Sequence, residues 1–254
     1  MNRRDALKLS TATVLGAASA LKFSHASENA ISDNAFKNIK LTNHGSVLLL
    51  TINQPPRNAV SKSTLNEIDM GLYIAAKDKL VAAIVITGTE QIFSAGAGDD
   101  SQQKLEEGEL THAEIARNVL NRIERFPKPV IAAVNGLCSN GGNELAMSCD
   151  IRVASENAVF LQQELHVGLI PGFGGMQRLQ RLVGHGRAMD IMLTGRKVTA
   201  DEALNIGLVT SVFSEGDLID KALELGNKLD EDINKSAFAV FKERMSTSYN
   251  EPFE

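Results

Sequence analysis

Residues 129–150 read PVIAAVNGLCSNGGNELAMSCD. The first eight, 129–136, form a continuous apolar run rich in β-formers, the pattern of a strand covered on both faces. Two adjacent glycines, Gly141 and Gly142, then run straight into a carboxylate, Glu144, which opens the apolar segment Leu145–Ala146–Met147. Permissive backbone and a negative charge therefore stand side by side at the edge of an expected core. Loops at strand ends are where α/β proteins hold their ligands.

The same punctuation recurs on either side. SVLLLTIN (46–53) is a short buried strand closed by Gln54–Pro55–Pro56, and VAAIVITG (81–88) is another, stopped by Gly88. Between them, residues 58–78 place Leu65, Ile68, Leu72 and Ala76 at helical spacing behind a Ser/Thr start. Residues 111–126 put Ile115, Val119, Ile123 and Phe126 on one helical face, ended by Pro127. DIRVAS and AVFLQ, within 150–162, are shorter strands, and helical patterns follow at 174–183, 185–194, 200–206 and 216–230. Alternating elements with strands apolar on both faces predict an α/β architecture with covered sheets. Periodicity leaves two windings open, a Rossmann-like open sheet and a spiral of ββα turns.

Three glycine-bearing loops are candidate sites: IFSAGAGDD (92–100), NGLCSNGGNE (135–144) and IPGFGGMQRL (170–179). None is a phosphate cradle of the usual kinds. No glycine precedes Lys–Ser or Lys–Thr, and the run from Gly172 fails the GxGxxG pattern because its last position is Gln177. A glycine without Cβ lets a backbone N–H face a ligand, and a free N–H at a helix start is a good donor for developing negative charge. Two such donors from different loops can grip one carbonyl oxygen as it becomes an enolate; losing one costs about 3–4 kcal/mol of transition-state stabilisation. A carboxylate beside that grip handles protons or water.

These motifs resemble the crotonase superfamily, whose members stabilise thioester enolates. The resemblance covers residues 36–250. TINQPPRNAVS matches the first-strand motif, FSAGA the first oxyanion loop, GGNELAMSCD the second, and residues 160–209 a long and highly specific central block. It implies a crotonase-like spiral of ββα units with covering C-terminal helices, and, because Glu144 and Glu164 match the two glutamates of the enoyl-CoA hydratases, reversible addition of water to a trans-2-enoyl-CoA. It implies Ala97 and Gly141 as the oxyanion donors. Glu144 becomes the base toward water and Glu164 the proton donor to the α-carbon, a division that needs two carboxyls in opposite protonation states. Substrate contacts fall to Arg57 near the CoA phosphates, to Ala95, and to Gly172, where a helix dipole would face the acyl group. No metal or redox cofactor is implied; coenzyme A is part of the substrate. A homo-oligomer, a trimer or dimer of trimers, is implied. Rival readings are an enoyl-CoA isomerase, a CoA-independent hydrolase of carbon–carbon bonds, and a catalytically silent acyl-binding protein.

Departures from the family pattern carry their own expectations. Gly98 intervenes before Asp99–Asp100, which predicts a looser first oxyanion loop. Asn140 stands where a third glycine is common. The chain stops at Tyr249–Glu254, where family members continue for several helical turns, which predicts weaker hold on CoA and on the trimer.

The 254 residues are 43% apolar and 22% charged, ordinary for a globular protein. Residues 1–26 carry Arg3–Arg4, an Ala-rich stretch and Ser24–His25–Ala26, resembling a twin-arginine export signal. Residues 27–35 read as a linker before a domain at 36–254. Export implies a periplasmic location, whereas a CoA thioester substrate implies the cytoplasm. Without its +3 leader the chain's net charge moves from −5 to −8, which with no Trp excludes a typical nucleic-acid binder. No apolar run is long enough to span a membrane. Cys138 and Cys149 are expected to be buried thiols, and His166 and His185, without metal-like spacing, core or surface histidines. Asp150 is expected to tie down a turn, and Gln162 to stand close behind the site.

Overall fold

The computed structural model describes residues 36–98 and 109–248. The leader, the linker, Asp99, Asp100 and the last six residues lie outside that set.

Six strands form the main sheet in the order β1 (Ile39–His44), β2 (Val47–Ile52), β3 (Ala83–Gly88), β5 (Val130–Val134), β7 (Ile151–Ser155) and β10 (Ser211–Phe213). In this sheet the β1–β2 pair is antiparallel and the other described pairs are parallel, β2 with β3 from Val47↔Ala83 to Ile52↔Gly88. A second sheet contains β4 (Ile92–Ser94), β6 (Leu137–Ser139), β8 (Val159–Leu161) and the short β9 (Val198–Thr199). Each of β3, β5 and β7 gives its chain to the main sheet and its successor, β4, β6 or β8, to the second. That repeated hand-over is a spiral of ββ turns, and it excludes the single open sheet that periodicity had left in play.

Alternation within the main strands divides the core. Leu48, Leu50, Ile84, Ile86, Val130, Ala132 and Val134 face one large cluster. Val47, Leu49, Val85, Ile131, Ala133 and Val153 face the other way, under Leu218, Ala222 and Leu223 of α7 (Leu218–Asp232). Both faces are covered, as the continuous apolar runs require. Helix α1 (Lys62–Lys77) starts at Ser61, whose side chain accepts from Thr64 N–H. It buries Leu65, Ile68 and Leu72 as expected but Ala75 in place of Ala76, which is exposed. Helix α2 (His112–Glu124) opens with a capping box between Thr111 and Glu114 and stops before Pro127.

Helix α3 (Gly141–Ser148) buries all eight of its residues. Helices α4 (Gly175–Val183), α5 (His185–Thr194) and α6 (Ala200–Asn205) follow, and α8 (Lys235–Ser248) ends the described chain. Asp150 accepts from Val130 N–H at 2.8 Å and from Lys242 of α8 at 2.6 Å, so it holds more than a turn. Both cysteines are free and buried, while His166 and His185 are exposed. Among the described residues no helix is long and apolar enough to cross a membrane.

Candidate active site

The first turn of α3 is wedged between two other segments. A Cβ on Gly142 would lie 2.5 Å from the carbonyl oxygen of Ser94 in β4, and one on Gly141 would lie 2.6 Å from the Phe173 ring and 3.4 Å from Ala97 N. The adjacent glycines are therefore a packing requirement, allowing the helix end to reach the β4 loop. Residue 140, just before them, has φ +52°. A side chain there costs about 1–3 kcal/mol of strain. It also makes a contact glycine could not: Asn140 Oδ1 accepts from Gln163 N–H at 2.7 Å, fixing the turn that carries Glu164.

The Ala97 loop approaches the same point from β4. A Cβ on Gly96, at φ +108°, would lie 3.5 Å from Gly141 N. Gly96 N–H donates to Ser94 Oγ at 3.2 Å, Val60 N–H donates to Gly96 carbonyl at 2.8 Å, and Ala97 bridges to Val60. The loop is anchored through Gly96 and Ala97, and Gly98 is buried; the Asp99–Asp100 side of the expected loosening lies outside the described residues. Among the described residues the N–H groups of Ala97 and Gly141 are given to no protein acceptor. Among the described residues, then, these two donors stand without an acceptor on neighbouring turns.

Glu144 lies one turn into α3 and is 1% exposed. Its Oε1 accepts from Phe173 N–H at 2.9 Å and Gly175 N–H at 2.6 Å. Those donors belong to the free start of α4, so a helix N-terminus faces Glu144. Burial pushes its carboxyl up to about 7, the Gly175 N–H pulls it back, and the charge of Glu164 adds to the rise. Glu164 opens a 3₁₀ turn, Glu164–Val167, after β8. Burial raises its carboxyl too, against hydrogen bonds from its own backbone N–H and from Gln162 Nε2, the latter to Oε1 at 2.8 Å. Its Oε2 is buried without a protein partner. Each carboxyl takes two donors, Glu144 from Phe173 and Gly175 and Glu164 from its own backbone N–H and Gln162, so hydrogen bonding alone does not divide the pair into base and acid.

Four sequence-predicted residues therefore meet: Ala97 with Gly141, and Glu144 within the field of Glu164. Ala95 and Arg57 belong to the loop's outer side, where Ala95 N–H donates to the Arg57 carbonyl at 2.9 Å and the Arg57 side chain is exposed. Gly172 stands three residues before α4, with its carbonyl accepting from Arg117 at 2.9 Å. The backbone donors at that helix start that find a partner point to Glu144.

Several residues of the site carried no sequence signal. Phe173 covers Gly141 and gives its N–H to Glu144. Arg178, 5% exposed, donates to the Phe173 carbonyl at 2.6 Å and pairs with Glu124 at 2.9 Å, which fixes the 173–175 turn. His112 is buried edge-on against Phe173 at 5.1 Å, with Nε2 2.7 Å from the Val60 carbonyl. A lone histidine at a helix start and an arginine in an amphipathic helix read as ordinary surface residues; only their burial sets them apart. A cavity of about 430 Å³ opens at the other end of α3, beside α4 and α8, and is lined by neither glutamate.

A sequence profile described as enoyl-CoA hydratase/isomerase matches residues 42–253. The short-chain-enoyl-CoA hydratase of Clostridium acetobutylicum is 45% identical over 195 residues, covering 76% of this chain and 75% of that protein. The crotonyl-CoA hydratase of Syntrophomonas wolfei is 40% identical over 209 residues, covering 81% and 79%. Among solved structures, an enoyl-CoA hydratase from Bacillus anthracis superposes with a TM-score of 0.78 at 32% identity, covering 85% of each chain. Pseudomonas aeruginosa DspI superposes at 0.79 with 31% identity, covering 88% of this chain and 91% of that one.

Proposed function

The chain belongs to the enoyl-CoA hydratase/isomerase family, and on that premise we propose that it is a hydro-lyase adding water to trans-2-enoyl-CoA thioesters. The observation that most supports this is the presence of two buried carboxyls, Glu144 and Glu164, near enough for the charge of Glu164 to act on Glu144. An isomerase needs only one carboxylate to shuttle a proton; hydration needs a base for water and an acid for carbon.

The thioester oxygen sits between the N–H groups of Ala97 and Gly141, which take up the negative charge as the enolate forms. Ionised Glu144 removes a proton from water while the water oxygen bonds to the β-carbon. Electrons move through the former double bond to the thioester oxygen. As the enolate collapses to the thioester carbonyl, its electron pair takes the proton of Glu164 at the α-carbon. The site then holds a protonated Glu144 and an ionised Glu164, and exchange of one proton resets it. Arg57 and Ala95 contribute to holding the CoA portion. The names of two relatives, short-chain and crotonyl, support a short acyl chain.

Family membership further supports a homo-oligomer, in keeping with the exposed apolar side chains Val167, Leu169 and Ile170 beside Glu164. The twin-arginine reading of residues 1–26 rests on sequence alone and is tested by sequencing the N-terminus of exported protein. The central test follows crotonyl-CoA ultraviolet absorbance. The unaltered protein should consume it, and Glu164→Gln and Glu144→Gln should each fall by at least about 100-fold. A silent unaltered protein, or equal rates in the variants, would overturn the reading.

A further inference from the structure

Glu164 is held from one side. Gln162 donates from Nε2 to its Oε1 at 2.8 Å, and the Gln162 carbonyl in turn accepts from Asn143 Nδ2 at 2.9 Å. Gln162 is 1% exposed and Asn143 2%, so bulk water does not compete for either bond. Two buried oxygens remain without protein donors, Glu164 Oε2 and Asn143 Oδ1.

An amide has one donor end and one acceptor end, whereas a carboxyl oxygen can play either part. Asn143 occupies the carbonyl end of Gln162, so the NH₂ end has to face Glu164. A donor aimed at Oε1 leaves that oxygen as an acceptor whether Glu164 is charged or neutral. We propose that Asn143 and Gln162 are positioning residues that keep Oε1 an acceptor and confine the transferable proton of Glu164 to Oε2, the oxygen without a protein partner. This rests on the hydratase reading, in which that proton goes to the α-carbon. It explains why a helix that carries one catalytic carboxylate should also carry a buried amide: Asn143 sets the orientation of the acid while its neighbour Glu144 acts as base.

The competing arrangement turns both amides over. Asn143 Oδ1 would then accept from Gln162, and the Gln162 carbonyl would accept a proton fixed on Oε1. The two differ in sign. A donor facing Glu164 stabilises its ionised form; an acceptor stabilises its neutral form. Gln162→Met removes either one and keeps the shape.

The experiment is an infrared pH titration of the Glu164 carboxyl, with its band identified by loss in Glu164→Gln. It is run with Glu144 intact and in Glu144→Gln, because Glu144 on α3 is coupled to Glu164 and Arg178 on α4 acts on Glu144 in turn. Gln162→Met should raise the titration midpoint of Glu164. Asn143→Leu, which frees Gln162 to turn, should raise it less, and serves if Gln162→Met does not fold. Steady-state kinetics should show kcat down by about tenfold or more with KM for crotonyl-CoA unchanged. A midpoint that falls identifies the reversed chain, and an unchanged midpoint reduces the pair to packing; either overturns the proposal. The titration requires no turnover, so inactivity of the unaltered protein would sink the hydratase reading without deciding this one.

Discussion

Gly175 touches Glu144 through both its backbone and its missing side chain. Its N–H donates to Oε1 at 2.6 Å, and a Cβ in its place would lie 2.8 Å from both Cγ and Oε1 of the same residue. The glycine is required by close approach, since the carboxylate lies directly against the start of α4. Gly175→Ala should push Glu144 off the Phe173 and Gly175 N–H groups. Displacement of a reacting group by about 1 Å costs roughly 100-fold in rate. The expected outcome is a kcat loss of that order on crotonyl-CoA, with the melting temperature lowered only modestly.

Glu144 also makes stability depend on pH. Its folded pKa, about 7, lies above that of an unfolded carboxyl. The folded state therefore binds the proton more tightly, and stability declines as pH rises from the unfolded value through 7. Glu144→Gln abolishes that titration. At pH 5 the variant and the unaltered protein should be close; at pH 8.5 the variant should be more stable by up to about 3 kcal/mol. Urea denaturation at the two pH values measures it, and a gap that does not widen with pH would count against the assignment.

Gly142 and Gly186 should respond oppositely to a methyl group. At Gly142 the new carbon would meet the Ser94 carbonyl at 2.5 Å and its Cβ at 2.6 Å, both fixed in β4. Overpacking of this kind costs about 1–3 kcal/mol, and it would also lever the Gly141 donor away from Ala97. Gly186, in the first turn of α5, has no atom within 4 Å of the added carbon and no positive φ. Gly186→Ala should stabilise the protein by about 0.4–1 kcal/mol through the unfolded chain. Thermal melts of the two variants should move in opposite directions, with crotonyl-CoA turnover lost only in Gly142→Ala.

The three long strands were legible because they are buried on both faces: 46–53, 81–88 and 129–136 are β2, β3 and β5 to within two residues at every end. What periodicity alone could not read was the winding, which only the resemblance to the crotonase superfamily implied. It is decided by Ile92–Ser94, Leu137–Ser139 and Val159–Leu161, three residues each; the last reads as a strand within AVFLQ, but the first two are too short for a period of two to register. Helix α8 was missed because its pattern is inverted: Lys242 is buried while Val240, Phe241 and Met245 are exposed. In the site, Glu144, Glu164, Ala97 and Gly141 stood out by motif. The groups that support them are backbone donors at 173 and 175 and the buried side chains of His112, Asn143 and Arg178, whose roles arise from proximity in space and leave no local signature.

Lys242 ties α8 to the sheet and should be the most costly charge to remove from that helix. Its side chain is 5% exposed and that of Asp150 26%. Asp150 Oδ2 accepts both Lys242 Nζ at 2.6 Å and Val130 N–H at 2.8 Å. Burial raises the Asp150 carboxyl and the Lys242 cation lowers it, so the ion pair offsets part of the desolvation. Lys242→Met leaves a largely buried carboxylate with one backbone donor, and breaking such a pair costs about 3–5 kcal/mol. Adding Asp150→Asn removes the stranded charge while keeping an acceptor for Val130, so the double variant should be more stable than Lys242→Met alone at neutral pH. The difference should shrink in acid, where Asp150 is protonated and no longer needs a cation. Urea denaturation of both variants at pH 4.5 and pH 7.5 tests the sign; a double variant less stable than the single at pH 7.5 would mean that α8 is held by packing of Phe238 and its neighbours, with the ion pair contributing little.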